Sequence, residues 1–137
     1  MTDPRIDPTE TTAMRRARGE AIVTQLSGGT RPASLDALDH EHPFLSHAVN
    51  AFAVGEIFDR DVLDVRTRQL ALVAAFATLG LTDFIKIHGA YALGAGATED
   101  ELKEIAVLTL IPGGFPRAIQ ASQAISALLA ERKDHAR

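Results

Sequence analysis

Apolar residues recur at helical spacing in successive stretches of this chain, each closed by glycine or proline, and no segment alternates apolar and polar residues between hairpin turns. From Thr9 to Leu26, residues Ala13, Ala17, Ala21, Ile22 and Leu26 fall near one face, and Ser27-Gly28-Gly29 supplies a stop, which predicts a first helix. The polar stretch Thr30-Arg31-Pro32-Ala33-Ser34 leads through Leu35-Asp36-Ala37-Leu38 to Pro43, a residue suited to the first turn of a second helix running to about Phe52. Asp64 caps a third, whose body from Gln69 to Ala77 is apolar on nearly every face before Leu79-Gly80 closes it, so burial all round is expected. Thr82 caps a fourth helix, which ends in Leu93-Gly94-Ala95-Gly96. Thr98-Glu99-Asp100-Glu101 forms a capping box with acidic residues where the helix dipole favours them, predicting a helix from Glu99 to about Leu110. Ile111-Pro112-Gly113-Gly114 breaks that helix, and Pro116 opens a last one with Ile119, Ser122, Ile125 and Leu129 along one stripe. The expected fold is an all-α compact domain of about six helices spanning 9–137, preceded by a flexible arm, residues 1–8, that carries two prolines and alternating charge.

Composition narrows the chemistry. At 137 residues, 46% hydrophobic and 23% charged, the chain suits one soluble domain. It has no cysteine, which excludes disulfides, thiolate catalysis and Cys-ligated metal centres. The N-terminus lacks the apolar core of a signal peptide and no later run approaches a membrane span, so a cytoplasmic protein without a membrane partner is expected. Net charge is −4, and basic residues are scattered apart from Arg15-Arg16-Ala17-Arg18, so nucleic acid is not an expected partner. His40, Glu41, His42 and His47 resemble metal ligands. However, His-x-His sets its side chains about 200° apart on a helix, and no second cluster follows, so no metal is expected. Gly94-Ala95-Gly96 and Gly113-Gly114 lack the strand and the Gly-Lys-Ser/Thr of a phosphate loop and punctuate helices.

Five short blocks carry a resemblance: Phe52-Ala53-Val54-Gly55-Glu56-Ile57-Phe58, Leu63-Asp64-Val65-Arg66-Thr67-Arg68, His88-Gly89-Ala90, Gly96-Ala97-Thr98-Glu99-Asp100-Glu101-Leu102 and Gly114-Phe115-Pro116. In this order and spacing, over roughly residues 40–130, the chain resembles the carboxymuconolactone decarboxylase family. That resemblance implies the family's helical fold, a ring-like homo-oligomer (trimer or hexamer), and a cofactor-independent carbon–carbon lyase that decarboxylates a small carboxylated lactone in aromatic catabolism. The family's alkylhydroperoxidase-type branch uses a C-x-x-C pair, a histidine and a glutamate. Registered on His88, the cysteine positions are Leu81 and Phe84 and the glutamate position is Gln69, so the resemblance points to the decarboxylase branch. It also leaves open a lyase, isomerase or cyclase of another small carboxylate or lactone, and a non-enzymatic helical oligomer.

Decarboxylation of such a lactone leaves an electron pair that the conjugated lactone carbonyl can hold as a dienolate, so no cofactor is required. The protein must grip carboxylates, stabilise the oxyanion and deliver a proton to carbon. His88, alone among apolar neighbours, is the leading candidate for oxyanion donor or proton carrier, against the alternative of a core histidine bonded to a backbone carbonyl. Tyr91 lies three residues on, so its hydroxyl can share the pocket or its ring can pack. Glu56 follows Gly55 in an apolar surround where burial raises a carboxyl's pKa and makes a usable acid; alternatively it is a structural carboxylate paired with an arginine. Arg66 and Gln69, three apart, face His88 by the same registration, and Arg66 can clamp a substrate carboxylate or form an ordinary salt bridge. Arg68 points elsewhere, and Phe84 completes the expected substrate-binding set.

Overall fold

The computed structural model describes residues 6–137, which contain seven α-helices, one π-helix and no strand, as an all-α chain requires. The chain divides into two compact units, one ending at Val62 and the other running Leu63–Arg137. Of the expected N-terminal arm, residues 1–5 lie outside the described residues; in the remainder Asp7 Oδ1 accepts bonds from the Thr9 amide at 2.8 Å and hydroxyl at 2.6 Å.

The first unit contains α1 (Thr12–Leu26), α2 (Ala33–Glu41), α3 (Pro43–Ala48) and the π-helix Val49–Phe58. Thr11 caps α1, its hydroxyl accepting from the Met14 amide at 3.2 Å. Helix α2 falls where the sequence suggested only a polar approach. Just two of its residues, Leu35 and Leu38, turn large apolar side chains partly inward, and its polar side is tied by Arg31, which lies 2.8 Å from Asp36 and 2.5 Å from Asp39. The expected second helix appears as α3 and continues beyond Phe52 as the π-helix. Its buried side, Asn50, Ala51, Val54 and Gly55, packs on Gly19 and Val23 of α1. Two glycines allow this crossing: a Cβ on Gly19 would stand 1.8 Å from the Asn50 carbonyl oxygen, and one on Gly55 would stand 2.2 Å from that of Arg15. Beneath it, Asn50 Nδ2 donates to the Ser46 carbonyl at 3.0 Å, and the Ser46 hydroxyl donates to Asp39.

The second unit contains α4 (Val65–Leu79), α5 (Thr82–Gly94), α6 (Glu99–Leu108) and α7 (Leu110–His135). Asp64 caps α4 as expected, accepting from the Thr67 amide at 2.8 Å, and Gly80 ends it in the left-handed conformation at φ 73°. The cap of α5 is Leu81, not Thr82, which is already the first helical residue. The tight link explains the shift: the Leu81 amide closes α4 on the Phe76 carbonyl at 3.0 Å, while its own carbonyl accepts the first bond of α5, from Ile85, also at 3.0 Å. The capping box forms reciprocally, with the Glu101 amide 3.1 Å from the Thr98 hydroxyl and the Thr98 amide 2.8 Å from Glu101 Oε2. Helicity resumes at Leu110, earlier than expected, and the break falls at Gly114 (φ 75°, ψ 178°), just before Pro116.

Val73, Ala77, Ile85, Ala92, Leu102, Ile105, Ala121, Ile125 and Leu128 form the core of this unit. Within this unit α4 is covered on one side only. Helices α5, α6 and α7 cover the side carrying Gln69, Val73 and Ala77, while Ala71, Ala75 and Leu79 remain exposed on a face this unit leaves uncovered. Among the described residues no helix is long and apolar enough to cross a membrane.

Candidate active site

In the second unit, Phe84, His88 and Tyr91 occur at intervals of four and three along α5 and therefore share one face. Gln69 and Phe76, seven apart on α4, meet that face. His88 Nδ1 is 2.7 Å from Gln69 Oε1. The Phe76 and His88 rings are tilted by 35° with centroids 5.0 Å apart, Phe76 and Phe84 lie at 5.2 Å, and the Tyr91 ring stands edge-on to the imidazole at 5.6 Å. Gln69 is buried, His88 and Tyr91 are partly buried, and Phe84 is half exposed. Burial holds the His88 pKa well below its ordinary value, down to about 4, so the ring is neutral near pH 7. An amide oxygen only accepts hydrogen bonds, so the bond to Gln69 requires the Nδ1–H tautomer with the lone pair on Nε2.

The other expected site residues stand differently. Arg66, one turn before Gln69, is engaged by Glu101 of α6, and both side chains are partly exposed. Glu101 also accepts from the Thr98 amide, and this bond, followed by the Arg66 pairing, holds its carboxyl below the ordinary range. Any further carboxylate reaching Arg66 would share it with Glu101. Arg68 donates to the Leu63 carbonyl at 2.8 Å.

Glu56 lies in the first unit, where the apolar surround expected for a proton donor is not found. The π-helix turns Asn50, Ala51, Val54 and Gly55 inward and leaves the Glu56 side chain 42% exposed, with Oε1 2.7 Å from Arg15 Nε. This is the paired, structural carboxylate. Arg15 and Arg18 border a cavity of about 490 Å³ in this unit, along with Phe52, Glu56, Ile57 and Asp59. The run Arg15-Arg16-Ala17-Arg18 is thus not a free basic patch: Arg18 pairs with Glu10 and Asp59, and Arg16 with Glu20 and Asp39. No group of three or more His, Asp or Glu side chains gathers at a metal-binding spacing among the described residues.

Two participants escaped the sequence reading. Phe76 sits in so apolar a helix that nothing separates it from core, although its seven-residue spacing from Gln69 places both on the His88 side. Glu101 looked committed to its cap, and only the packing of α6 beside α4 reveals its second partner.

Comparison with known proteins covers this region. The model of the carboxymuconolactone decarboxylase family matches residues 43–127, a segment containing Glu56, Arg66, Gln69, Phe84, His88 and Tyr91. A 4-carboxymuconolactone decarboxylase of Acinetobacter baylyi is 31% identical over 83 residues, which are 61% of this chain and 62% of that protein. An uncharacterized protein of Methanocaldococcus jannaschii is 34% identical over 70 residues, 51% of this chain and 65% of that one. The chain thus spans a little under two thirds of the length of each of these relatives. With the family match running through more than half of its residues, the chain belongs to the carboxymuconolactone decarboxylase family.

Proposed function

We propose that this chain is a cofactor-independent carboxy-lyase acting on a small carboxylated lactone, of the kind named by its Acinetobacter relative. The observation that carries the reading is the His88–Gln69 pair, a neutral imidazole in one tautomer against Phe76 and Tyr91, inside the family-matched segment. In the reaction the bond between the ring carbon and its carboxylate breaks and CO₂ leaves. The electron pair passes into the conjugated lactone carbonyl as a dienolate, and one proton added to carbon completes the product.

His88 supplies the proton handling. A substrate carboxylate close to Nε2 favours the imidazolium and opposes the effect of burial, so the ring takes up a proton when the anion binds. Once CO₂ has left, the negative charge lies on the dienolate, and the imidazolium Nε2–H is matched to protonating its carbon, which returns the ring to the neutral Nδ1–H form. Tyr91, whose ring stands beside the imidazole, carries a hydroxyl able to donate to the developing oxyanion, and Arg66 can hold a second carboxylate in exchange for Glu101. Glu56, exposed and paired with Arg15, is given no proton-transfer role.

The Nε2 lone pair also suits an isomerase that moves a proton between carbons of an unsaturated lactone without losing CO₂. Incubation with carboxymuconolactone, followed by ultraviolet absorbance and CO₂ release together, separates the two. Equimolar substrate loss and CO₂ release is the expected result. Absorbance change without CO₂ supports the isomerase, and no change in either defeats both readings for this substrate.

A further inference from the structure

The hydrogen bond between His88 and Gln69 specifies more than a location. An imidazole free in water favours the tautomer protonated on Nε2, so a protein needing the other tautomer must place an acceptor at Nδ1. Gln69 Oε1 stands there at 2.7 Å. The Gln69 side chain is 1% exposed and sits on the buried stripe of α4, one turn before Val73, itself fully buried. A hydrogen bond so shielded from water is stronger than an exposed one, and the amide has little freedom to swing away. Its chemistry is equally specific: a glutamine orients an imidazole as a carboxylate would, yet adds no negative charge to favour the imidazolium.

We infer that Gln69 is a positioning residue that fixes the His88 proton on Nδ1 and so makes Nε2 the nitrogen through which the ring exchanges protons with a ligand. Gln69 therefore acts through His88, in place of the direct substrate contact expected from the sequence. The catalytic consequence rests on the carboxy-lyase reading; the tautomer does not.

Several charged groups on the helices packed around His88 have partners of their own. On α5, Lys86 lies 2.6 Å from Glu131 of α7, and Asp83 stands in the first turn. On α4, Arg66 is held by Glu101 and Arg68 by the Leu63 carbonyl, while Arg117 of α7 bonds Gln120. Burial lowers the His88 pKa, and a carboxylate introduced at position 69 opposes that effect from hydrogen-bonding distance of Nδ1.

The test is imidazole nitrogen NMR on the ¹⁵N-labelled full-length chain, with His88→Ala identifying the His88 signals. In the wild type at neutral pH, Nδ1 should give the protonated, pyrrole-type signal and Nε2 the unprotonated, pyridine-type signal; the reverse assignment overturns the inference. Gln69→Leu removes the acceptor while keeping an apolar group in the buried site, and should move the signals toward the Nε2–H tautomer. An unchanged pattern in a folded Gln69→Leu protein means another group holds the ring and also overturns it. Gln69→Glu covers the case in which the leucine variant does not fold. It should keep the wild-type tautomer and raise the His88 titration midpoint by about one pH unit or more, and an unmoved midpoint counts against the inference.

On carboxymuconolactone, Gln69→Leu should lower kcat by roughly tenfold or more with a smaller change in KM, as loss of a supporting hydrogen bond does. Gln69→Glu should displace the acidic limb of the pH profile to higher pH. If the wild type releases no CO₂ from the lactone, the carboxy-lyase reading fails while the NMR comparison still decides the role of Gln69.

Discussion

His88 gains its character from where the chain puts it. The ordinary imidazole pKa is 6.5 and the folded value is about 4, so between those limits the unfolded chain binds a proton that the native chain refuses. Stability must therefore rise with pH through that window. The contribution is fully present above 6.5 and is lost as pH falls through about 4, a change on the order of 3 kcal/mol. Ring-proton NMR should show the His88 midpoint near 4, with denaturant stability falling across the same interval; a midpoint near 6.5 would mean the ring is solvated. Arg66 calls for the opposite expectation. Its pair with Glu101 is about two-fifths exposed, so Arg66→Ala should cost under about 1 kcal/mol in urea denaturation while raising KM for a carboxylated substrate. An unaltered KM would remove Arg66 from the binding site.

At the scale of elements, legibility in the sequence followed the range of the interactions involved. The capping box before α6 could be read because Thr98 and Glu101 are three residues apart and satisfy each other; Thr98→Ala should lower stability by about 1 kcal/mol in thermal or urea unfolding. Asp64 and Gly80 delimit α4 by equally local means. Helix α2 was not legible because its Arg31, Asp36 and Asp39 contacts bring together residues that carry no helical period. Nor could the π-helix be separated from an α-helix in the run Val49–Phe58, where most positions are apolar and periodicity discriminates poorly. Its different winding matters to Glu56, since the sequence predicted an apolar surround and the packed element leaves that side chain in solvent beside Arg15. The crossing with α1 depends on two glycines 36 positions apart in the chain, a relation visible only after folding. Gly19→Ala must push the helices apart to relieve a 1.8 Å approach to backbone, and should lower stability by at least the 1–3 kcal/mol, roughly, of an overpacked core. An unchanged melting temperature would show that this crossing is not formed.

For the whole molecule, apolar surface is the outstanding feature. In the first unit Phe44 is 83% exposed, and in the second Ile111 and Phe115 are 87% and 73% exposed, close in sequence to exposed Leu108 and Ile119. Surface of this kind is what self-association would cover, and we propose the homo-oligomer that the family resemblance implies. Sedimentation at micromolar concentration should give a species larger than the 14.7 kDa chain, and a monomer would contradict this. The helical character was legible across most of the molecule because caps, stops and periodicity agreed, whereas the candidate site was legible only in part. His88, Gln69, Phe84 and Tyr91 share one helix-pair face, but the selection of Gln69 as the Nδ1 partner, the ring of Phe76 and the Glu101 claim on Arg66 are products of packing. His88 is proposed to perform the proton chemistry of a carboxy-lyase, and comparison of wild type with His88→Ala for CO₂ release from carboxymuconolactone tests that role. Wild-type turnover reduced by about 10²-fold or more in the variant, with helicity and sedimentation unchanged, is predicted. Near-native CO₂ release by a folded His88→Ala protein would contradict it.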